Sequence, residues 1–545
     1  MYIRNCLTLN KVSMRKPLQL LTAIVATAYA LQAQVRYLEP VFTDAQIVKM
    51  ADVNYGINFF AYAPASIGGP QLLPLRCDIY MPDTNVDNVS NRPVIVYFHT
   101  GSFLPKGLAS PMGEKTDSAA VEICKRFARM GFVAVSASYR VGWLANSTDL
   151  DLRRGTNLLA VYNAIQDAKT MVRYLRVTAS QGNPLKINTN AITLIGQGSG
   201  GYITLAYATL NKYSELQLDK FKYDNSSSTG LFGYPVQAGD MYVDTSVVGD
   251  WNGFGGKVTL TGQQTPLGLP QIDMSQRGRN FENYVGVPSD VAMTVNLGGA
   301  LGDSTWLEAG DPPIVSVHVV QDFFAPYIQG MVNVPIAGQF YPVVEVAGSH
   351  TAVRLSNSIG NNNVLTTNWN DPISVKARAN ATINPGQIHH ILPFDIPPPN
   401  PAMPFRVNSN PWDWWDPNDP LSQNETNPNI KAQSIAYIDT VMGFIAPRIA
   451  KMLTTKGYQI PVSVSENQLD AKIIMYPNPA TTHFSLSTHK PIEKLELVDI
   501  TGRVVLNSTP NESFHTVHTE HLPRGVYMVR ILMENEWFVK KAILR

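Results

Sequence analysis

The sequence predicts an α/β body built on a doubly wound, mostly parallel sheet, with a small all-β sandwich behind it. Three observations carry this expectation. From residue 72 onward, strand-like and helix-like runs alternate, an order that puts helices on both faces of a parallel sheet. At 93–98, PVIVYF is continuously apolar, as a strand covered on both faces must be. After residue 474, short alternating apolar and polar runs separated by turn signals replace the helical spacing.

The elements follow in order. LLPLRCDIYM at 72–81 reads as a strand closed by Pro82, and PVIVYF as the next. A helix is expected at 118–129 and a strand at 132–136. In 157–176, Leu158, Val161, Ile165, Ala168, Val172 and Leu175 mark one face of a helix. ITLI at 192–195 is a buried strand, Gly196 to Gly201 a turn of small residues, and a helix opens at Tyr202. Runs at 291–297, 314–320 and 342–346 supply three further strands of the sheet. Two irregular stretches interrupt this order. The first, 211–290, is rich in Gly, Ser, Asn and Asp and is expected to form a lid over the strand ends. The second, 351–430, carries PWDWWDPNDP, in which Trp412, Trp414 and Trp415 with Asp413 and Asp416 either stack on a sugar or aromatic ligand or pin the loop to the core. A closing helix at 435–453 holds Pro447, a kink site.

Composition bounds the function classes. A net charge of +1 across 545 residues, with no basic tract, gives no footprint for nucleic acid or an anionic membrane. Residues 1–33 have the form of a signal peptide: Arg15 and Lys16, the apolar run LQLLTAIVATAYA, and small residues before a cut after Ala33. That run is short for a bilayer span, no later segment resembles one, and Met14 makes a better start for the signal than Met1. Export leaves Cys77 and Cys124, for which a bridge and two buried thiols are equally open. No HExxH, paired CxxC or EF-hand loop occurs, so neither metal nor cofactor is expected. Residues 196–201 also fit G-x-G-x-x-G, but the acidic residue about twenty positions on, Asp219, lies in LQLDKFKY, which is not a buried strand.

Several local motifs agree with one family in the same order. DIYMP at 78–82, VIVYFHTGSF at 94–103, VAVSASYR at 133–140 and AIQDAKTMVRYLR at 164–176 resemble stretches of the carboxylesterase-like α/β-hydrolases. The likeness covers roughly residues 70–350, and it implies the α/β-hydrolase fold with lid insertions and a pocket for a small-molecule ester or related ligand. Such enzymes present a nucleophile at a strand-to-helix elbow, G-x-S-x-G, and place the acid and the histidine after later strands. The chain has Gly196, Gln197, Gly198, Ser199, Gly200, Gly201, so Gly198 stands in the serine's place and Ser199 one place late. The resemblance implies Asp322 as the acid, from PPIVSVHVVQDFFAPY, and His350 as the base, from YPVVEVAGSHT. His389 and His390 are rival bases in a proline-rich loop. The oxyanion hole is expected at HTGSF, with Gly101 and Ser102 beside Gly198 and Gly200. Two functions follow. One is a secreted serine esterase using Ser199, Asp322 and His350. The other is a hydrolase-fold surface protein that binds a ligand without cleaving it.

The tail is a separate module. A polar linker, 456–473, precedes runs such as FSLST, KLELVDI, RVVLN and YMVRIL. YPNPA at 476–480, DITGR at 499–503, LPRGVYMVRI and the basic finish from Lys540 to Arg545 resemble the C-terminal sorting domain of type IX secretion in Bacteroidota. That implies a layout of signal 1–33, body 34–455, linker and sorting domain 474–545. It also implies type IX machinery as a partner and a destination outside the cell or on its surface.

Overall fold

The structure, a computed structural model, describes residues 35–545 apart from 64, 66–67, 109–110, 225–228, 337–338, 382–387, 405–406, 415–429, 461–472, 500–502 and 535. The expected signal peptide, most of the expected linker, Trp415 with Asp416, and 500–502 of the DITGR turn lie outside the described residues.

Eight strands form the main sheet: β1 (Ile47–Phe60), β2 (Gln71–Pro82), β3 (Arg92–Phe98), β4 (Val133–Ala137), β5 (Ile187–Gln197), β6 (Met293–Leu297), β7 (Ile314–Val319) and β8 (Ile391–Phe394). Their spatial order is β1-β2-β4-β3-β5-β6-β7-β8. β1 and β2 run antiparallel, as do β2 and β4, and every later pairing is parallel. This is the strand order of the α/β-hydrolase fold. Side chains alternate across the sheet. Val94, Val96 and Phe98 face the helices α2 (Leu150–Ser180) and α3 (Ser199–Thr209), while Ile95 and Tyr97 face α1 (Ser118–Arg129) and α6 (Lys431–Thr455). Helices on both faces explain why β3 is buried at every position.

Two of the sequence motifs meet inside the body. Arg140, after β4, pairs with Asp167 of α2 at 2.9 Å, and both are buried. Arg140 also donates to Asn163 O, to Gln166 Oε1 and, at 3.5 Å, to Phe59 O. Removing one partner of such a pair typically costs about 3–5 kcal/mol, because the other charge stays buried. Gln166 in turn donates to Val248 O and Asp250 O, both at 2.8 Å, and so ties the 211–290 insertion to α2.

One expected strand belongs elsewhere. The run at 342–346 is part of Gln339–Gly348, which pairs antiparallel with Gln329–Ile336 and Ala300–Leu301 in a separate three-stranded sheet. The eighth strand of the main sheet is instead ILPF at 391–394, reached through α4 (Ser349–Ser358) and α5 (Pro372–Asn380). A four-residue strand between proline-rich stretches has too short an apolar run to stand out by periodicity. β1 lies ahead of the first expected strand, and most of its N-terminal half is exposed at successive positions, without the alternation of a half-buried strand.

The tail forms two antiparallel sheets. One holds Ile474–Tyr476, His483–Ile492 and Glu512–His518; the other holds Lys494–Val498, Val504–Ser508, Gly525–Met533 and Glu536–Leu544. Phe484, Leu486, Leu495, Leu497, Val529 and Ile531 form its own core.

Cys77 on β2 and Cys124 on α1 are free and buried, which resolves the pairing left open by the sequence. Burial pushes both thiols up, Cys77 to about 12. Iodoacetamide added to the native protein is therefore expected to leave both unmodified and to alkylate both in guanidinium. Modification of either before unfolding, read by peptide mass spectrometry, contradicts this packing.

Candidate functional site

The site is built on the junction of β5 and α3. Gly198 lies at the apex with φ 53° and ψ −114°, a conformation strained for any residue with a side chain. Its N–H donates to Leu297 O at 2.8 Å, and its carbonyl accepts from Gly201 N at 2.9 Å. The flanking glycines fix the register. A Cβ on Gly196 would lie 1.9 Å from Gly200 O, and one on Gly200 would lie 2.1 Å from Phe98 O. The small-residue positions are thus two before and two after Gly198. Gln197 points away, bonded to Tyr97 and, at 3.1 Å, to Asp413 Oδ2.

Ser199 is the first residue of α3, which begins three residues earlier than the sequence suggested. Its hydroxyl pairs with Tyr139 Oη at 2.9 Å, and Tyr139 also donates to His99 O. The apex has its own occupant. A Cβ on Gly198 would meet Thr100 Oγ1 at 2.2 Å, so the Thr100 hydroxyl fills the space that a nucleophile's side chain needs. Thr100 belongs to the expected oxyanion segment. Gly101 turns there at φ 122°, and Ser102 and Phe103 follow at φ 54° and 56°. A Cβ on Gly101 would come within 2.6 Å of Gly113 Cα, so glycine is required at that position.

Asp322 sits just after β7. Its Oδ1 accepts from Ser409 Oγ at 2.8 Å, Phe324 N at 2.8 Å and Ala325 N at 3.2 Å. Burial pushes its carboxyl up to about 7, against the pull of these donors. A cavity of about 620 Å³ is lined by Thr100, Ser102, Gly198, Ser199, Asp322 and Ser409, among others. Its remaining walls are mostly apolar, and the 211–290 insertion contributes Leu216, Phe221, Tyr242 and Val243.

His350 is not among the residues that line the cavity. It is the second residue of α4, 1% exposed, with its ring tilted against Tyr327 at 5.3 Å between centroids. Among the described residues no histidine lines the cavity. The imidazole beside Asp322 is His318, 3.9 Å away, bridging Ser349 Oγ at 2.6 Å and Ala325 O at 2.9 Å. Burial lowers His318 to about 4 and keeps it neutral. His390 packs against Trp369 and Arg448 near α6, outside the cavity lining. The segment after β8 reaches Asp322 through Ser409, a residue the sequence reading missed. Trp412 is fully buried near Phe394, 6.2 Å between centroids, and Trp414 is partly buried in the same core.

Two outcomes follow. Gly198→Ser adds an overpacked Cβ and an L side chain at positive φ, each costing about 1–3 kcal/mol. It is expected to lower the unfolding free energy, and adding Thr100→Gly should restore part of the loss; a neutral Gly198→Ser contradicts the crowding. The sign for Asp322 follows from its raised pKa. The folded state keeps a proton that the unfolded chain releases near pH 4, so this group's contribution to stability falls from about pH 4 to about pH 7 and is flat above. Asp322→Asn should flatten that part of the profile in denaturant titrations, and an unchanged slope contradicts the assignment.

The BD-FAE family model matches residues 77–331, and the model described as the secretion system C-terminal sorting domain matches residues 474–545. No curated protein matches the chain. Among solved structures, a native thermophilic esterase from Thermogutta terrifontis, Est2, is 14% identical over 68% of this chain and 88% of its own, with a TM-score of 0.30. The butyrate-bound form of that esterase is 17% identical over 47% of this chain and 70% of its own, at 0.26. Esterase B from Lactobacillus Rhamnosis is 17% identical over 37% of this chain and 49% of its own, at 0.21. Those superpositions are loose, and the fold rests on the strand order and the family match. The chain joins an esterase-like α/β-hydrolase body to a type IX sorting domain, and is a protein secreted to the cell surface or beyond.

Proposed function

We propose that the cavity takes a carboxylic ester, or the acid it would yield, and holds it without a serine–histidine relay. One observation carries this reading: the elbow apex is Gly198, and the Thr100 hydroxyl occupies the space of the missing side chain. Acyl transfer needs a nucleophile and a base within hydrogen-bond reach of it. Hydroxyls at Thr100, Ser199 and Ser409 and the carboxyl of Asp322 supply groups that can bond an ester or acid oxygen. The apolar walls take the rest of the ligand.

The catalytic reading keeps one specific support. Ser199 Oγ borders the cavity and is bonded to Tyr139 Oη. In that reading Ser199 attacks, His350 takes its proton and Asp322 orients the imidazole, with Gly101, Ser102 and Gly200 around the oxyanion. Burial pushes the Tyr139 phenol above its ordinary range, so at neutral pH it stays protonated and does not replace the base. The proposed layout is a signal at 1–33, a body at 34–455, a linker at 456–473 and a tail at 474–545 that serves export.

A fluorophosphonate probe and p-nitrophenyl butyrate, applied to the purified exported protein, separate the readings. Binding without turnover predicts no covalent adduct and no release of nitrophenol above buffer, while the ester competes for the cavity with a fluorescent acid. An adduct mapped to Ser199, lost in Ser199→Ala together with turnover, overturns it in favour of the esterase.

A further inference from the structure

Three observations describe the shape of the cavity. Tyr202, Ala206 and Leu210 recur every four residues along one face of α3 and its C-terminal cap, and all three border the cavity. At 1.5 Å per residue, the wall from Ser199 to Leu210 runs about 16 Å away from the elbow. Across from it, Leu158, Val161 and Ile165 present an apolar stripe of α2 to the same space. Past Leu210 the lining continues through Leu216, Phe221 and Trp306, the last two with rings 5.7 Å apart.

The hydroxyl and carboxyl groups have a common place, while Asn157 of α2 and Asn333 are further polar residues of the lining. Thr100, Ser199, Asp322 and Ser409 gather at the elbow end. Tyr162 and Tyr242 border the apolar part, but their hydroxyls are engaged, by Gly249 O at 3.1 Å and Asp151 Oδ1 at 2.6 Å. With those phenols engaged, they offer the ligand mainly ring surface.

We propose that the ligand is a linear, saturated acyl chain whose carboxyl or ester group sits at Thr100, Asp322 and Ser409, and whose tail lies along α3 toward Leu210. This deepens the binding function proposed above and rests on it. A carbon chain with bonds of about 1.52 Å and angles of about 111° advances about 1.25 Å per bond, so a wall of about 16 Å takes a dozen or so carbons. A one- or two-ring aromatic ligand is shorter than that wall and would leave part of it uncovered.

The test is displacement of a fluorescent linear fatty acid, cis-parinarate, from the full exported protein by acids from hexanoate to hexadecanoate. Affinity is expected to rise about fourfold per methylene, the fold-change that corresponds to about 0.8 kcal/mol, and to level off near dodecanoate. Ala206→Phe and Leu210→Trp should bring the plateau to shorter chains, with Ala206→Phe cutting it further because Ala206 lies nearer the elbow. Thermal unfolding of each variant checks that it is folded. Affinity that does not grow with length, with naphthoate binding as tightly as dodecanoate, overturns the linear ligand and leaves the cavity reading standing. No displaceable binding by either shape overturns both. Failure of the non-turnover reading alone would appear as release of nitrophenol with the chain-length series intact.

Discussion

Everything at the site depends on backbone packed against backbone at the elbow. Gly200 approaches the Phe98 carbonyl, and Gly196 approaches Gly200, closely enough that no side chain fits at either glycine. This contact sets which residue tops the turn. With Gly196 and Gly200 fixed, the apex falls on Gly198, and Ser199 passes into the first turn of α3. The esterase scaffold is therefore kept with its strained corner, while the side chain usually displayed there is absent. Thr100 closes the gap from the neighbouring strand end.

The polar groups around this corner follow one logic. Several of the buried charges and hydroxyls hold a piece of backbone. Arg140 and Asp167 join the end of β4 to α2. Asp413 accepts from Gln197 and from the start of α1, and so holds the late loop under the elbow. Burial raises both Asp413 and its neighbour Asp117, the latter to about 8. Asp322, held by Ser409 and two backbone N–H groups, differs in bordering the cavity, where a carboxyl near its titration point can donate or accept.

Much of the architecture was legible from the chain. Buried strands such as 93–98 announce themselves by unbroken apolar runs, and α2 by its stripe. The YR of VAVSASYR and the aspartate of AIQDAK were visible as motifs; the structure supplies their reason, since Arg140 binds Asp167 and Tyr139 meets Ser199. The eighth strand of the main sheet was not legible. Residues 342–346 have the stronger strand signal, yet hydrogen bonding puts them in a side sheet, and the short ILPF takes the eighth place. Pairing partners are non-local and leave no periodic trace in the chain. Nor does any motif disclose that the Thr100 hydroxyl would enter the space beside Gly198, because that contact joins residues of two strands' ends.

The register of the elbow is tested most directly by the unfolding free energy of Gly196→Ala beside that of Gln197→Ala. With Gly198 at the apex, the added methyl at 196 has no room, and its loss should reach or exceed the ~3 kcal/mol upper range of overpacking. A turn displaced by one residue, with Ser199 at its top, would instead demand a small residue at 197. Gly196→Ala with full native stability would contradict the account.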